Sequence, residues 1–431
     1  MKLAKLSLAA MVVAGLASSS FAASTTLADA FKNGKVNGEL RAWYFDRDSG
    51  ASATSSDLFQ TGVILGYTTD SLYGLSLGVT FQSNYAPFAD TKAKQVFDGD
   101  SYGSGAVLSE AYIAYTIGKT TAKVGRQFIS TPLVSGSGSR MVKEAFEGAV
   151  VVNTDLPNTT LIAGYVGKFQ GRTSQVTGDG YPTATNGVSD IPEFSKNAVF
   201  YGAANLTFDG AYTVGVINKS VPNLTVVGQY AMVNNVAGLY DVDVYVGALG
   251  YVIPMSNFKI GLDAAYQASK VDTDIGLDGD MVGLQAQLID LNGFGAKVAY
   301  TTTGSNDDLI LGMGNGAGGA VAFAAPLIAG AGKTSTASTD AYKIEGSYDF
   351  SKVGVAGLKV MGQYVSISAD NTPASFSATP NTDYTYWAGQ VAYAVPALKG
   401  LTLSAEYEDS KKETTSTTNG SEFRFRANYK F

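Results

Sequence analysis

From Val36 onward the chain alternates apolar and polar residues, segment after segment, and the last segment shows the pattern most plainly. There Phe423, Phe425, Ala427, Tyr429 and Phe431 share one face, while Glu422, Arg424, Arg426, Asn428 and Lys430 share the other. Side chains alternate across a β-strand, so such a segment separates two unlike media. Eighteen segments of this kind are legible: 35–46, 58–68, 75–84, 107–117, 120–128, 147–153, 159–168, 211–218, 223–233, 240–253, 257–268, 279–289, 294–303, 340–350, 357–368, 384–395, 400–409 and 421–431. A nineteenth, 197–208, also alternates, but it makes the number odd and disturbs the order of connections, so we assign it to a loop.

Those connections alternate between short turns, such as Gly118-Lys119 and Pro254–Ser256, and long loops, such as 85–106, 129–146, 169–210 and 304–339. Eight short turns and nine long loops suit an eighteen-stranded meander with both termini on the short-turn side. Bacterial outer-membrane barrels have that asymmetry, with short periplasmic turns and longer external loops. The predicted fold class is all-β, a transmembrane up-and-down antiparallel β-barrel of 18 strands, with sixteen as the alternative. A soluble sandwich also alternates. Here, however, aromatics recur near strand ends and charges run along the polar faces, as in Lys259, Asp263 and Gln267 against Ile260, Leu262 and Tyr266. A barrel of this width leaves a channel rather than a packed core.

The first residues follow another rule. Lys2 and Lys5 precede an apolar run, Leu6 to Leu16, and Ser20-Phe21-Ala22 forms a small-x-small cleavage site. This predicts a secretory leader over 1–22 and a single outer-membrane barrel domain over 23–431. No later run reaches 18 apolar residues, so no transmembrane helix is expected, and the Gly-interrupted stretch 320–331 reads as loop. The net charge of −7 becomes −9 without the two leader lysines, the wrong sign for a nucleic-acid binder. With no Cys and no His, disulfides, imidazole-ligated zinc and Ser-His or Cys-His catalysis are unavailable, and an enzyme is not expected.

The run Leu108-Ser-Glu-Ala-Tyr-Ile-Ala-Tyr115, with Lys123-Val-Gly-Arg-Gln127, Thr131-Pro-Leu133, Ser139-Arg-Met141 and Ala145-Phe-Glu-Gly148, resembles the OprD-type outer-membrane porins. It is most similar to the major porins of epsilon-class proteobacteria. That resemblance implies an eighteen-stranded barrel in the bacterial outer membrane, a homotrimer, a third external loop folded inward as a constriction, and a basic ladder guiding anionic groups. It also implies that the barrel-assembly machinery recognises Tyr429 and Phe431 as its signal.

Candidate chemistry is sparse and charged. The loop 129–146 gathers Arg140, Lys143 and Glu144, flanked by Arg126 and Glu147, and these are the expected constriction. A narrow low-dielectric rim focuses their field, although an ordinary solvated loop is the competing reading. Arg126 is awkward, because it shares parity with Ala122 and Val124, which should face lipid. On the wall, Glu39, Arg41, Glu110, Lys123, Arg424 and Arg426 occupy lumen parity, and barrel closure should unite Arg41 with Arg424 and Arg426 in a basic stripe. Asp272, Asp274, Asp278 and Asp280 form a weak Ca²⁺ candidate whose spacing fits no EF-hand, so no cofactor is expected. The expected function is a water-filled channel for passive diffusion of ions and small hydrophilic solutes. The alternatives are a substrate-selective channel for small carboxylates or amino acids, and an adhesin or structural barrel. The acidic mature chain predicts mild cation selectivity, with the basic stripe arguing the other way locally.

Overall fold

The structure, a computed structural model, describes residues 24–50, 55–172, 192–201, 205–272, 278–370, 383–412 and 419–431. The predicted leader and the residue Asp274 lie outside them. Eighteen strands form the wall: β1 (Lys35–Asp48), β2 (Ser56–Thr68), β3 (Leu75–Asn84), β4 (Gly105–Ile117), β5 (Thr120–Gln127), β6 (Ala145–Asn153), β7 (Thr159–Gln170), β8 (Gly210–Asn218), β9 (Leu224–Val236), β10 (Tyr240–Pro254), β11 (Lys259–Val271), β12 (Asp280–Leu291), β13 (Phe294–Thr303), β14 (Thr339–Asp349), β15 (Leu358–Ala369), β16 (Tyr384–Ala394), β17 (Leu401–Lys412) and β18 (Gly420–Lys430). Each pairs antiparallel with the next, β7 with β8 across the long connection. Strand β18 returns to β1 in the register Glu39↔Lys430 to Asp48↔Ser421 and closes the barrel, so no edge is left. The eighteen-strand count and the alternation of turns therefore hold. Segment 197–208 stays off the wall: Asn197–Tyr201 and Asn205–Thr207 make a small separate sheet with Gly312–Met313.

The faces follow the sequence parity. In β1, Leu40 is exposed on the outside, while Glu39, Arg41, Trp43 and Phe45 are buried inside. Leu65, Val79, Ile113, Val214, Leu249 and Ile344 are likewise exposed. An apolar belt on a barrel closed by its own strand pairing suits hydrocarbon, where backbone groups find no other partners. Aromatic pairs sit toward the long-loop end of the outer face: Tyr165–Tyr212 at 5.1 Å, Tyr300–Tyr342 at 4.8 Å and Tyr364–Trp387 at 4.5 Å between centroids. These are the interfacial girdle that the Tyr-rich composition foretold.

The interior departs from expectation. Two long connections, 128–144 between β5 and β6 and 304–338 between β13 and β14, turn into the lumen. Their residues Leu133, Val134, Leu309, Ile310, Leu311, Met313 and Val321 are buried together with Phe146 and Phe169. The inward faces of β9 and β10 complete this core through Val227, Val242, Val244 and Val246. The stretch 320–331 is thus an interior plug as well as a loop, because apolar residues in an exposed loop would forfeit burial. Two wall glycines make room for it. A Cβ at Gly62 would stand 2.5 Å from Met141 Sδ, and one at Gly283 would collide with the Val321 carbonyl. A third connection, between β3 and β4, carries the short helix α1 of the lid (Thr91–Val96) and packs Ala93, Phe97 and Tyr102 over Trp43, Phe45 and Met141.

Candidate functional site

What the plug leaves open is a cavity of about 570 Å³ bounded by β1, the lower ends of β14 to β18 and the tips of both inward loops. Six cationic side chains line it, Arg41, Lys143, Lys359, Arg424, Arg426 and Lys430, against three carboxylates, Glu39, Asp349 and Glu406. Each carboxylate has a partner. Glu39 takes Arg41 Nε at 3.0 Å and Lys143 Nζ at 3.4 Å; Glu406 takes Arg426 Nη1 at 2.6 Å; Asp349 takes Lys359 Nζ at 2.8 Å.

Barrel closure builds the basic stripe. Positions 41, 43 and 45 of β1 face inward, and the register Trp43↔Arg426 and Phe45↔Arg424 sets guanidiniums beside rings. Arg41 and Arg426 lie 4.9 and 5.0 Å from the Trp43 centroid, and Arg424 lies 5.2 Å from Phe45. Such contacts hold a cation without neutralising it, each worth about 0.5–2 kcal/mol.

The wall also holds the loops. Arg41 Nη1 donates to the carbonyls of Arg140 and Met141, both at 2.9 Å. Gln82 pairs with the Lys143 backbone in both directions, at 2.9 Å each. Asp100, from the lid, accepts Arg140 Nε at 2.7 Å, Arg47 Nη2 at 2.7 Å and Arg172 Nη1 at 3.1 Å. Burial pulls its carboxyl upward, but the Arg140, Arg172 and Arg47 guanidiniums outweigh that and hold it well below the usual carboxylate range. Burial, then Arg41, pushes the Lys143 ammonium below its ordinary value, with Glu39 opposing. Glu144 is buried between the two loops, accepting the backbone N–H of Ser137 at 2.8 Å and of Asn315 at 2.9 Å, with Arg172 Nε at 3.3 Å. The second loop hangs on Gln267, which donates to the Leu311 carbonyl at 2.9 Å, and on Lys343, which donates to the Ala325 carbonyl at 3.1 Å. Glu408 accepts the N–H groups of Ile328 and Ala329 at 3.0 and 2.8 Å.

Several sequence expectations are corrected by this geometry. Arg126 and Glu147 do not reach the constriction: they alternate with the buried Gln127 and Phe146 and pair with each other at 3.1 Å on the outer face. Arg140 and Glu144 brace loops instead of lining the cavity, whereas Lys143 does line it. Glu110 and Lys123 pair at 3.2 Å, and Glu110 also accepts the N–H of Phe128, pinning the start of the inward loop. Asp278 caps the Val271 N–H at 2.7 Å; among the described residues no group of three or more metal-ligating side chains converges. Phe431 exchanges backbone hydrogen bonds with Gly38 at 3.0 and 3.1 Å. Sequence reasoning missed Asp100, Arg172, Lys359 and Leu327. Only the last had a signal, its apolar segment being too hydrophobic for an open loop.

Residues 29–221 match the family described as outer membrane porin, OprD family. No curated protein matches the chain. Among solved structures, OccAB3 of Acinetobacter baumannii superposes with a TM-score of 0.73 or better, namely 0.76, at 16% identity, covering 93% of this chain and 99% of that one. OpdO of Pseudomonas aeruginosa gives 0.73 at 17% identity, covering 94% and 98%. OccK8 (OprE) of Pseudomonas aeruginosa gives 0.73 at 16% identity, covering 93% and 98%.

Proposed function

We propose that the chain is an outer-membrane porin of the OprD family and that its passage conducts small solutes bearing a carboxylate in preference to cations. The observation that carries this reading is the lining of the cavity, where cations outnumber carboxylates two to one and every carboxylate is already paired. A solute carboxylate finds guanidiniums stacked on Trp43 and Phe45 that still have donors to offer, and low-dielectric walls strengthen that attraction. This reading opposes the cation preference suggested by net charge. We read the protein as a channel and not as an enzyme, with 1–22 removed on export and 23–431 forming the single domain. We propose recognition of Tyr429 and Phe431 by the assembly machinery; the homotrimer expected from the sequence is a separate proposal that the mass of the detergent-solubilised assembly tests.

The test is single-channel recording in a planar bilayer under a KCl gradient. The expected reversal potential is displaced toward Cl⁻, millimolar small carboxylates interrupt the current, and R424Q/R426Q abolishes both effects. A reversal potential displaced toward K⁺, with no carboxylate block, would overturn the reading.

A further inference from the structure

The outer wall carries charge where lipid should be. Arg126 on β5, Glu147 on β6 and Lys168 on β7 stand side by side on three adjacent strands, with Arg126 Nε and Lys168 Nζ both 3.1 Å from the Glu147 carboxylate. Their neighbours Gln127, Phe146 and Phe169 are buried on the lumen side, so the three point outward, and each is about one-third or more exposed. Parity with the exposed Val124 and Val151 sends Arg126 and Glu147 outward, and a register shift between β6 and β7 brings Lys168 beside them.

Their height is set by the girdle. Lys168 lies beyond Tyr165 toward the external end of β7, and Tyr165 packs at a tilt against Tyr212 in the outer aromatic belt. A charge facing hydrocarbon at mid-membrane would cost about 2–4 kcal/mol, falling to about 0–1 near the interface. The triad therefore occupies the headgroup level of the outer leaflet. Phe194 covers the Arg126 guanidinium at 4.4 Å, supplying an apolar shoulder beside it. Two cations share one carboxylate, so the group has a net positive charge.

We propose that Arg126 and Lys168 form a binding site for the phosphate of an outer-leaflet lipid headgroup. Arginine and lysine donors match phosphate oxygens, and the arginine fork adds geometric specificity. Glu147 holds the cations at the spacing of the three strands and weakens the site by its own charge. This role is independent of conduction, since none of the three residues lines the passage.

The whole mature barrel, refolded in detergent, is titrated with a bis-phosphorylated glucosamine-disaccharide lipid and with its dephosphorylated analogue, bound lipid being counted by native mass spectrometry. The phosphorylated lipid is expected to be retained by the parent protein and bound roughly tenfold less tightly by R126Q/K168Q. E147Q should bind it more tightly than the parent, which a purely structural role for the ion pair would not produce. Single-channel conductance should be unchanged in both variants. Equal retention of the two lipids, weaker binding by E147Q, or dissociation of a barrel oligomer in R126Q/K168Q without loss of lipid would each overturn the proposal.

Discussion

Glu144 is the bolt between the two inward loops, and its removal should open the passage without unfolding the barrel. Its buried carboxylate joins Ser137 of its own loop to Asn315 of the other and to Arg172. In Glu144→Ala, the Ser137 and Asn315 N–H groups lose their acceptor and Arg172 loses a carboxylate. Breaking a buried, hydrogen-bonded ion pair by removing one partner costs about 3–5 kcal/mol. None of that energy belongs to the strand ladder, which is paired through all eighteen strands, so the loss falls on loop docking. A shift of that size multiplies the undocked population by roughly 10² to 10³ or more. Single-channel traces of the refolded variant should show larger steps with frequent transitions between levels. The heat-modified mobility of the barrel on a gel should match the parent. Glu144→Gln, which keeps an acceptor for one N–H but presents an amide donor to Arg172, should fall between the two. Steps and open-channel noise identical to the parent would refute the assignment of Glu144 as a loop brace.

The Asp100 network should survive mild acid. A carboxyl held below its unfolded value stabilises the fold above about pH 4 and loses that contribution only as pH falls through its lower folded value. Conductance should therefore be steady from about pH 7 to pH 4, while Asp100→Asn should already give noisy steps at neutral pH. Gly283→Ala places a methyl against the Val321 carbonyl, which is backbone and yields poorly; overpacking of about 1–3 kcal/mol should speed external proteolysis within 304–338. Phe431→Ala should lower the amount of barrel assembled in cells while leaving the conductance of refolded protein unchanged, and equal cellular yield would argue against a terminal assembly signal.

The wall was legible because a membrane barrel obeys one local rule throughout. Period-2 alternation and turn length set the strand positions to within about three residues, and parity placed Glu39, Arg41, Arg424 and Arg426 inside. The same rule misplaced nothing on β1 or β18, where the ladder runs without a bulge. It was weakest at β4 to β7. There Ser109 and Glu110 both turn inward across an irregularity opposite Thr80 and Phe81, and Arg126 emerges on the outer face as its parity demanded. The interior was less legible, since loop docking is a long-range event that adjacent residues do not encode. One clue existed: β9 and β10 carry Val227, Val242, Val244 and Val246 on the lumen side, where water would favour polar residues. Apolar residues on both faces of a barrel strand require something inside to cover them, and the plug formed by 304–338 is what does so.

This arrangement explains why the net charge and the lining of the passage point to opposite selectivities. At physiological ionic strength a charge is felt over about 8 Å, so a solute inside the barrel responds to the lining and not to the sum over the chain. The chain totals −7, yet the cavity gathers six cations and three carboxylates. Acidic groups within the lumen are consumed in two ways. Glu39, Glu406 and Asp349 pair with lining cations, while Glu144 and Glu408 are spent on loop N–H groups. Arginines at 41, 424 and 426 lie against aromatic rings, which orient them without cancelling their charge. Plugging one side of the barrel therefore does two jobs at once. It narrows the path to a cavity of small-solute size, and it leaves as the open wall the sector whose cations exceed its carboxylates.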